Sequence, residues 1–288
     1  MKKTFRSEKP QKITFKGKAK ILSSENEKYV IKPKKKDLKS LYNYLKTRQF
    51  HQFPDIVEED EENYVFNYIE NIDVPINQKA SDMANLLAML HNKTAYFIPI
   101  TADYVKEISE NIESNILDAE KYYNDIFEKI ASDVVMSPSN YLLIRNSSKI
   151  LANFNYIKKE LNKWLKLMEN KTKERVVYCH NNLSIDHCLS NTEDYLISWD
   201  QYQVDTPVLD LMNLYHNDFD KYEFSNFFEV YNQRFTLNED EKLLFFLMIT
   251  LPQKIEFTNY EYDNTEKVNR LLRYIYKTEQ LVRPYYTP

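Results

Sequence analysis

Residues His180-Asn181-Asn182-Leu183-Ser184-Ile185-Asp186-His187-Cys188-Leu189 form a polar loop between two β-rich runs, and their types and order decide the fold. Val176-Val177-Tyr178 precedes the loop and Tyr195-Leu196-Ile197 follows it. Short apolar runs rich in Val, Ile and Tyr favour strands. Together they predict a β-hairpin at about 176–200.

Outward from this hairpin the pattern is helical on both sides. From Val208 onward helices dominate to the C-terminus, and residues 102–131 and 139–169 carry two long amphipathic patterns. Ser81 is placed to cap a helix with Met83, Leu86, Leu87 and Leu90 at helical spacing, ending near His91. Before Pro75 the chain reads mainly as strands. Ile13–Leu22 alternates with a break, Ser23–Glu27 is a turn, and Lys28–Lys32 contains Tyr29-Val30-Ile31 and stops at Pro33. Asp37 can cap one helix reaching Phe50, with Leu38, Leu41, Tyr42 and Leu45 on one face. Glu58–Glu62 reads as an acidic loop and Asn63–Ile69 as a further strand. The expected fold class is α+β in two lobes: a β-rich N-terminal lobe at 1–72 and a larger, mainly helical C-terminal lobe at 73–288.

Composition narrows the function. The 288 residues are 43% hydrophobic and 28% charged, enough for a sizeable core. The net charge is −4, from 39 basic and 43 acidic residues, so no strong field draws the chain to nucleic acid or an anionic membrane. The longest apolar run, Leu243–Leu251, is about half of what spans a bilayer. The basic start, Met1–Pro10, has no apolar stretch behind it and does not read as a secretory signal. Two cysteines, Cys179 and Cys188, suit a reducing compartment. The expectation is a soluble protein made in the cytoplasm, with no nucleic-acid partner and no membrane span. Gly17 is the single glycine, so a Gly-rich phosphate cradle is excluded. The 23 tyrosines read as compositional bias.

The loop resembles the catalytic loop of the aminoglycoside phosphotransferase and choline kinase families, whose pattern is His-x-Asp-Leu-x-x-x-Asn. The frame fits through His180, Leu183 and Leu189, with Asn182 at the base position and His187 at a metal-ligand position. Ile197-Ser198-Trp199, followed by Thr206-Pro207-Val208-Leu209-Asp210-Leu211, is similar to the family's Ile-Asp-Trp and Asp-Pro-x-x-Asp-Leu. That register puts Ser198 where the family binds metal with Asp, and keeps Asp210 as the structural acid of a helix start. Lys32 sits where the family has its strand lysine for nucleotide phosphates, and Leu86–His91 resembles an early helix of the second lobe. The element order is that of a two-lobed kinase. Within the resemblance His180 packs behind the loop, and His91 is a satisfied core or capping residue.

The departures fall on the chemistry. Phosphoryl transfer needs positioned groups and metal ions that neutralise the phosphates. Asn182 has no titratable carboxylate, and a lost general base costs roughly two to four decades in rate. Ser198 is a weak ligand for Mg²⁺, which wants carboxylate oxygens, and His187 is a softer nitrogen ligand. The helix after Lys32 offers no Glu to pair with it, only Asp37. Asp200, two residues after Ser198 on the same strand face, is a substitute acid, and Asp186 is another. Lys32 reads equally as a phosphate contact or as a solvated lysine beside Lys34, Lys35 and Lys36, a run that reads as a solvated helix entry. The adjacent pairs Cys179/His180 and His187/Cys188 match no common zinc spacing.

Two readings follow. One is a non-catalytic kinase-fold protein, whose loop most resembles bacterial spore-coat kinase-like proteins; this implies protein partners, coat proteins among them, and assembly into a spore coat. The other is an active phosphotransferase acting on a small-molecule hydroxyl with relocated acids. ATP and Mg²⁺ are the cofactors the resemblance implies, and the replaced residues leave neither assigned.

Overall fold

The computed structural model describes residues 12–17, 19–24 and 27–285. Its contacts divide the chain into two compact units. The first holds the described residues up to Ala95, together with Val177–Asp205 and Asn226–Phe235; the second holds Tyr96–Val176, Thr206–Ser225 and the described residues from Thr236.

The first unit opens with β1 (Lys12–Lys16), β2 (Ala19–Ser23), β3 (Lys28–Pro33), α1 (Leu38–Thr47), β4 (Ile56–Glu59) and β5 (Asn63–Asn67). The strands form one antiparallel sheet in the order β1-β2-β3-β5-β4. The broken alternation over 13–22 resolves into two strands joined at Gly17, whose φ of 57° lies in the left-handed region that favours glycine. At α1 the Asp37 carboxylate accepts from Ser40 N at 3.1 Å and from Ser40 Oγ at 2.5 Å, which caps the helix as expected. The helix then buries Leu38, Leu41, Tyr42 and Leu45.

The acidic run is only partly a loop. Glu58 and Glu59 belong to β4, and Glu59 sits between Lys34 at 3.0 Å and Lys39 at 2.7 Å. The turn itself is Asp60–Glu62, closed by the Asp60 carboxylate accepting from Glu62 N and Asn63 N. Next comes α2 (Ile76–Thr94), which starts after Pro75 rather than at Ser81. Ser81 lies inside it, and its carbonyl accepts from Asn85 Nδ2 at 3.0 Å. Proline preset for a helix entry is the stronger local signal here. The helix ends where Thr94 Oγ1 bonds back to Leu90 O at 2.8 Å and accepts from Tyr178 N at 3.2 Å.

In the second unit, β6 (Tyr96–Pro99) was not anticipated. It is followed by α3 (Ala102–Ser132), α4 (Pro138–Arg145) and α5 (Ser147–Met168). The single pattern over 139–169 breaks at Asn146, whose side-chain amide donates to Leu142 O at 2.8 Å in place of continuing the helix ladder. The strand β7 (Lys173–Cys179) begins earlier than expected, and its first four residues pair with β6. Its last three belong to the first unit and pair with β10 (Gln203–Asp205). Between them in sequence, β8 (Cys188–Ser190) and β9 (Asp194–Leu196) form a two-stranded hairpin.

The helices α6 (Val208–Asp218), α7 (Phe224–Arg234), α8 (Glu239–Thr250) and α9 (Glu261–Val282) complete the chain. A cluster including Ile116, Tyr123, Phe154, Trp164, Leu247 and Leu271 forms the second unit's core. Beside it, Arg175 donates to Glu241 Oε1 and to Thr236 O, both at 2.9 Å, and pairs with Glu241 Oε2. No helix among the described residues is long and apolar enough to cross a membrane.

Candidate functional site

A cleft of about 550 Å³ lies within the first unit, a size typical of small-molecule sites. Strand register builds its apolar wall. Ile21 faces Val30 across β2–β3, and Val30 faces Phe66 across β3–β5. Directly opposed residues share a sheet face, so the three line the cleft in one row. Ala19 precedes Ile21 by two residues and Lys32 follows Val30 by two, which puts both on that face. Leu189 and Ile197 from the hairpin add further apolar lining.

From the end of β5 the chain runs along the cleft as Asn67-Tyr68-Ile69. This segment is pinned to β8, because Asn71 Oδ1 accepts from Ser190 N at 2.9 Å and Ile72 N donates to Ser190 O at 2.7 Å. Gly17 also reaches the cleft, and a Cβ there would meet nothing within 4 Å. Turn conformation explains this glycine, and close approach to the chain does not.

The polar end gathers residues singled out from the sequence. Lys32, Asn182, His187, Ser198, Asp186 and Asp200 all line it. Lys32 Nζ donates to Ser198 Oγ at 2.8 Å. Asn182 Nδ2 donates to the Ser198 carbonyl at 3.2 Å. His187 Nδ1 lies 2.6 Å from the Asn182 carbonyl; a carbonyl only accepts, so this nitrogen carries the hydrogen. The result is a linked series of four residues, joined by one side-chain contact and two bonds to backbone carbonyls. Burial lowers the Lys32 pKa from its ordinary value, the Asp200 charge works against that, and Lys35 adds to it.

Ser198 holds this arrangement in a left-handed backbone, at φ 72°, and Asn181 does the same at φ 55°. Asparagine tolerates that region, whereas serine there is uncommon. Trp199 anchors the turn from below, fully buried, with Nε1 donating to Leu196 O at 2.8 Å and its ring edge-on to Phe50. His180 is also fully buried. Its Nε2 donates to Ile197 O at 2.9 Å and its ring meets Trp199 edge-on at 4.6 Å, and it does not line the cleft.

The other two residues lie elsewhere. His91, fully buried in the first unit, has Nδ1 2.7 Å from the Tyr231 hydroxyl and its ring against Phe235. Asp210 is fully buried in the first turn of α6, in the second unit. The lysine run is not a uniformly solvated helix entry: Lys34 pairs with Glu59, Lys35 lines the cleft, and Lys36 Nζ donates to Tyr202 O at 2.5 Å. Asp37 is committed to Ser40 as a helix cap, and the partner of Lys32 is Ser198.

No protein-family model and no curated protein matches the sequence. In three dimensions the chain is similar to an aminoglycoside phosphotransferase from Alicyclobacillus acidocaldarius, at 11% identity and a TM-score of 0.67, over 96% of this chain and 91% of the other. It is also similar to spectinomycin phosphotransferase in complex with ADP and spectinomycin, at 15% identity and a TM-score of 0.50, over 94% and 93% of the two chains. A choline kinase from Streptococcus pneumoniae aligns at 16% identity and a TM-score of 0.46, over 90% and 91%. The first of these likenesses defines the class of the chain: a protein-kinase-like fold, with a small N-terminal antiparallel sheet and a larger helical C-terminal part.

Kinases of this fold imply Mg²⁺, and the side chains at the metal positions of the resemblance, Ser198 and His187, do not fit it; the carboxylates on the lining, Asp186 and Asp200, stand at other positions. Mg²⁺ is held through carboxylates and phosphate oxygens in near-octahedral geometry. Ser198 Oγ accepts from Lys32, and His187, whose Nδ1 donates to the Asn182 carbonyl, offers only an imidazole nitrogen, which suits softer metals. Among the described residues no set of three His, Cys, Asp or Glu ligand atoms converges in this cleft.

Proposed function

We propose that the chain is a nucleotide-binding protein of the phosphotransferase fold that does not transfer phosphate. The supporting observation is the series Lys32–Ser198–Asn182–His187, which lines an apolar cleft and carries an amide, an imidazole and a hydroxyl at the positions that the motif likeness pairs with Asp, Asn and Asp. The Asn182 amide cannot accept a hydroxyl proton at neutral pH. The apolar row Ile21, Val30 and Phe66 offers a slot for a flat heterocycle, and Lys32 stands at its polar end for a phosphate. A spectinomycin phosphotransferase of similar fold is described with ADP bound. Association with protein partners, spore-coat proteins among them, belongs to the same proposal and rests on the motif likeness alone.

A second reading has its own observation: Asp186 and Asp200 carry carboxylates into the cleft lining. It makes the chain an active phosphotransferase acting on a small-molecule hydroxyl. Incubation with γ-labelled ATP and a panel of aminoglycosides, amino alcohols and sugars separates the two. The expected outcome is no label on any acceptor above the protein-free control. Transfer that vanishes in Asp200→Asn or Asp186→Asn would replace the first reading by the second.

A further inference from the structure

We propose that the cleft takes its phosphate-bearing nucleotide without a divalent cation, with the Lys32 ammonium standing where a metal ion would bridge phosphate and protein. This rests on the nucleotide-binding reading above and names how that ligand is held.

The geometry makes Lys32 the local cation. Its Nζ lies 2.8 Å from Ser198 Oγ, the side chain that occupies the metal-ligand position of the family pattern. A hydroxyl that accepts a hydrogen bond from an ammonium offers a divalent ion little. The Ser198 carbonyl is likewise engaged, by Asn182. His187 donates through Nδ1 to the Asn182 carbonyl and so has Nε2 as its ligand nitrogen, and imidazole suits softer metals than Mg²⁺.

The charged groups on the lining are Lys32 and Lys35 against Asp186 and Asp200. The Asp200 charge favours the ammonium form of Lys32 against the burial that lowers its pKa.

Linkage then fixes the sign of the effect. A cation raises nucleotide affinity only as far as the protein grips the cation, because the coupling is reciprocal. A cation that the protein does not grip merely neutralises phosphate charge, and that charge is what Lys32 attracts. Mg²⁺ should therefore leave the affinity for ADP unchanged or weaken it. In a site that holds metal through carboxylates it would strengthen binding.

The experiment is calorimetric titration of the full chain with ADP, once in excess EDTA and once with MgCl₂ in excess over ADP. The expected result is binding in EDTA that is as tight as in MgCl₂ or tighter. Binding tighter in MgCl₂ by more than about threefold, roughly 0.7 kcal/mol, overturns the metal-free proposal and leaves the nucleotide reading standing. No heat in either buffer overturns the nucleotide reading and this proposal with it. A second titration uses Ser198→Asp, a residue that tolerates left-handed backbone. It should move the balance toward MgCl₂ by about tenfold or more. A variant that stays indifferent to MgCl₂ overturns the assignment of the missing ligand to Ser198.

Discussion

Lys32→Met removes the ammonium at the polar end of the cleft and keeps an unbranched stem of similar bulk. In the wild-type chain that ammonium is held 2.8 Å from Ser198 Oγ on the strand face that carries Val30. Nucleotide at about 100 times its dissociation constant stabilises the folded state by about 2.7 kcal/mol. For a chain of this length that is a melting shift of about 5–10 °C. A hydrogen bond to a charged group contributes about 1.5–3 kcal/mol, so losing it weakens binding by about 13–160-fold.

At the same nucleotide concentration the stabilisation then falls to about 0.3–1.3 kcal/mol. Differential scanning fluorimetry with and without nucleotide should show the shift cut to less than half. The nucleotide-free variant should melt close to the wild type. Burial depresses the Lys32 pKa below its ordinary 10.5, so the charged form opposes folding at neutral pH and its removal is not costly. A variant that keeps more than half of the wild-type shift would refute the placement of phosphate at Lys32.

Arg175→Ala should cost about 3–5 kcal/mol in urea denaturation, because it strands the Glu241 carboxylate, whose side chain is only 3% exposed. Arg175→Met combined with Glu241→Met should cost less than the single change, and a single-mutant cost below about 1 kcal/mol would contradict the buried pair. Ser198→Val should lose more than about 2 kcal/mol, since a β-branched residue is badly strained at φ 72°, while Ser198→Asn stays within about 1 kcal/mol of wild type by the same denaturation assay. Burial lowers the pKa of His216 from its ordinary 6.5. As pH falls below about 6.5 the unfolded chain takes up a proton that the folded chain refuses, so stability should fall. Stability measured across that window should decline less steeply in His216→Gln, and an unchanged slope would show that His216 is not the titrating group.

Local pattern carried much of the architecture. Leu38, Leu41, Tyr42 and Leu45 announce α1 by spacing, and Asp37 caps it as its side chain allows. The frame of His180, Leu183 and Leu189 located the loop that lines the cleft, with Lys32, Asn182, His187, Ser198 and Asp200. Boundaries were less legible where two local signals compete. Pro75 overrode Ser81 at the start of α2, and Asn146 broke a pattern whose apolar spacing continues across it. The short strand β6 exists through its pairing with β7, and four residues alone carry no such signal.

What sequence determined is residue identity at each position of the loop, hence the absence of a carboxylate at 182 and 198 and of an amide at 187. Only tertiary structure decided what those side chains do instead. Lys32 and Ser198 are 166 positions apart, and no local periodicity encodes their 2.8 Å contact. Nor does anything in the residue name give Ser198 its left-handed backbone, which the buried Trp199 beside it and the Asn182 amide bonded to its carbonyl accompany. Chain-local propensities act over a few residues, whereas a cleft forms when register and packing bring distant segments onto one face.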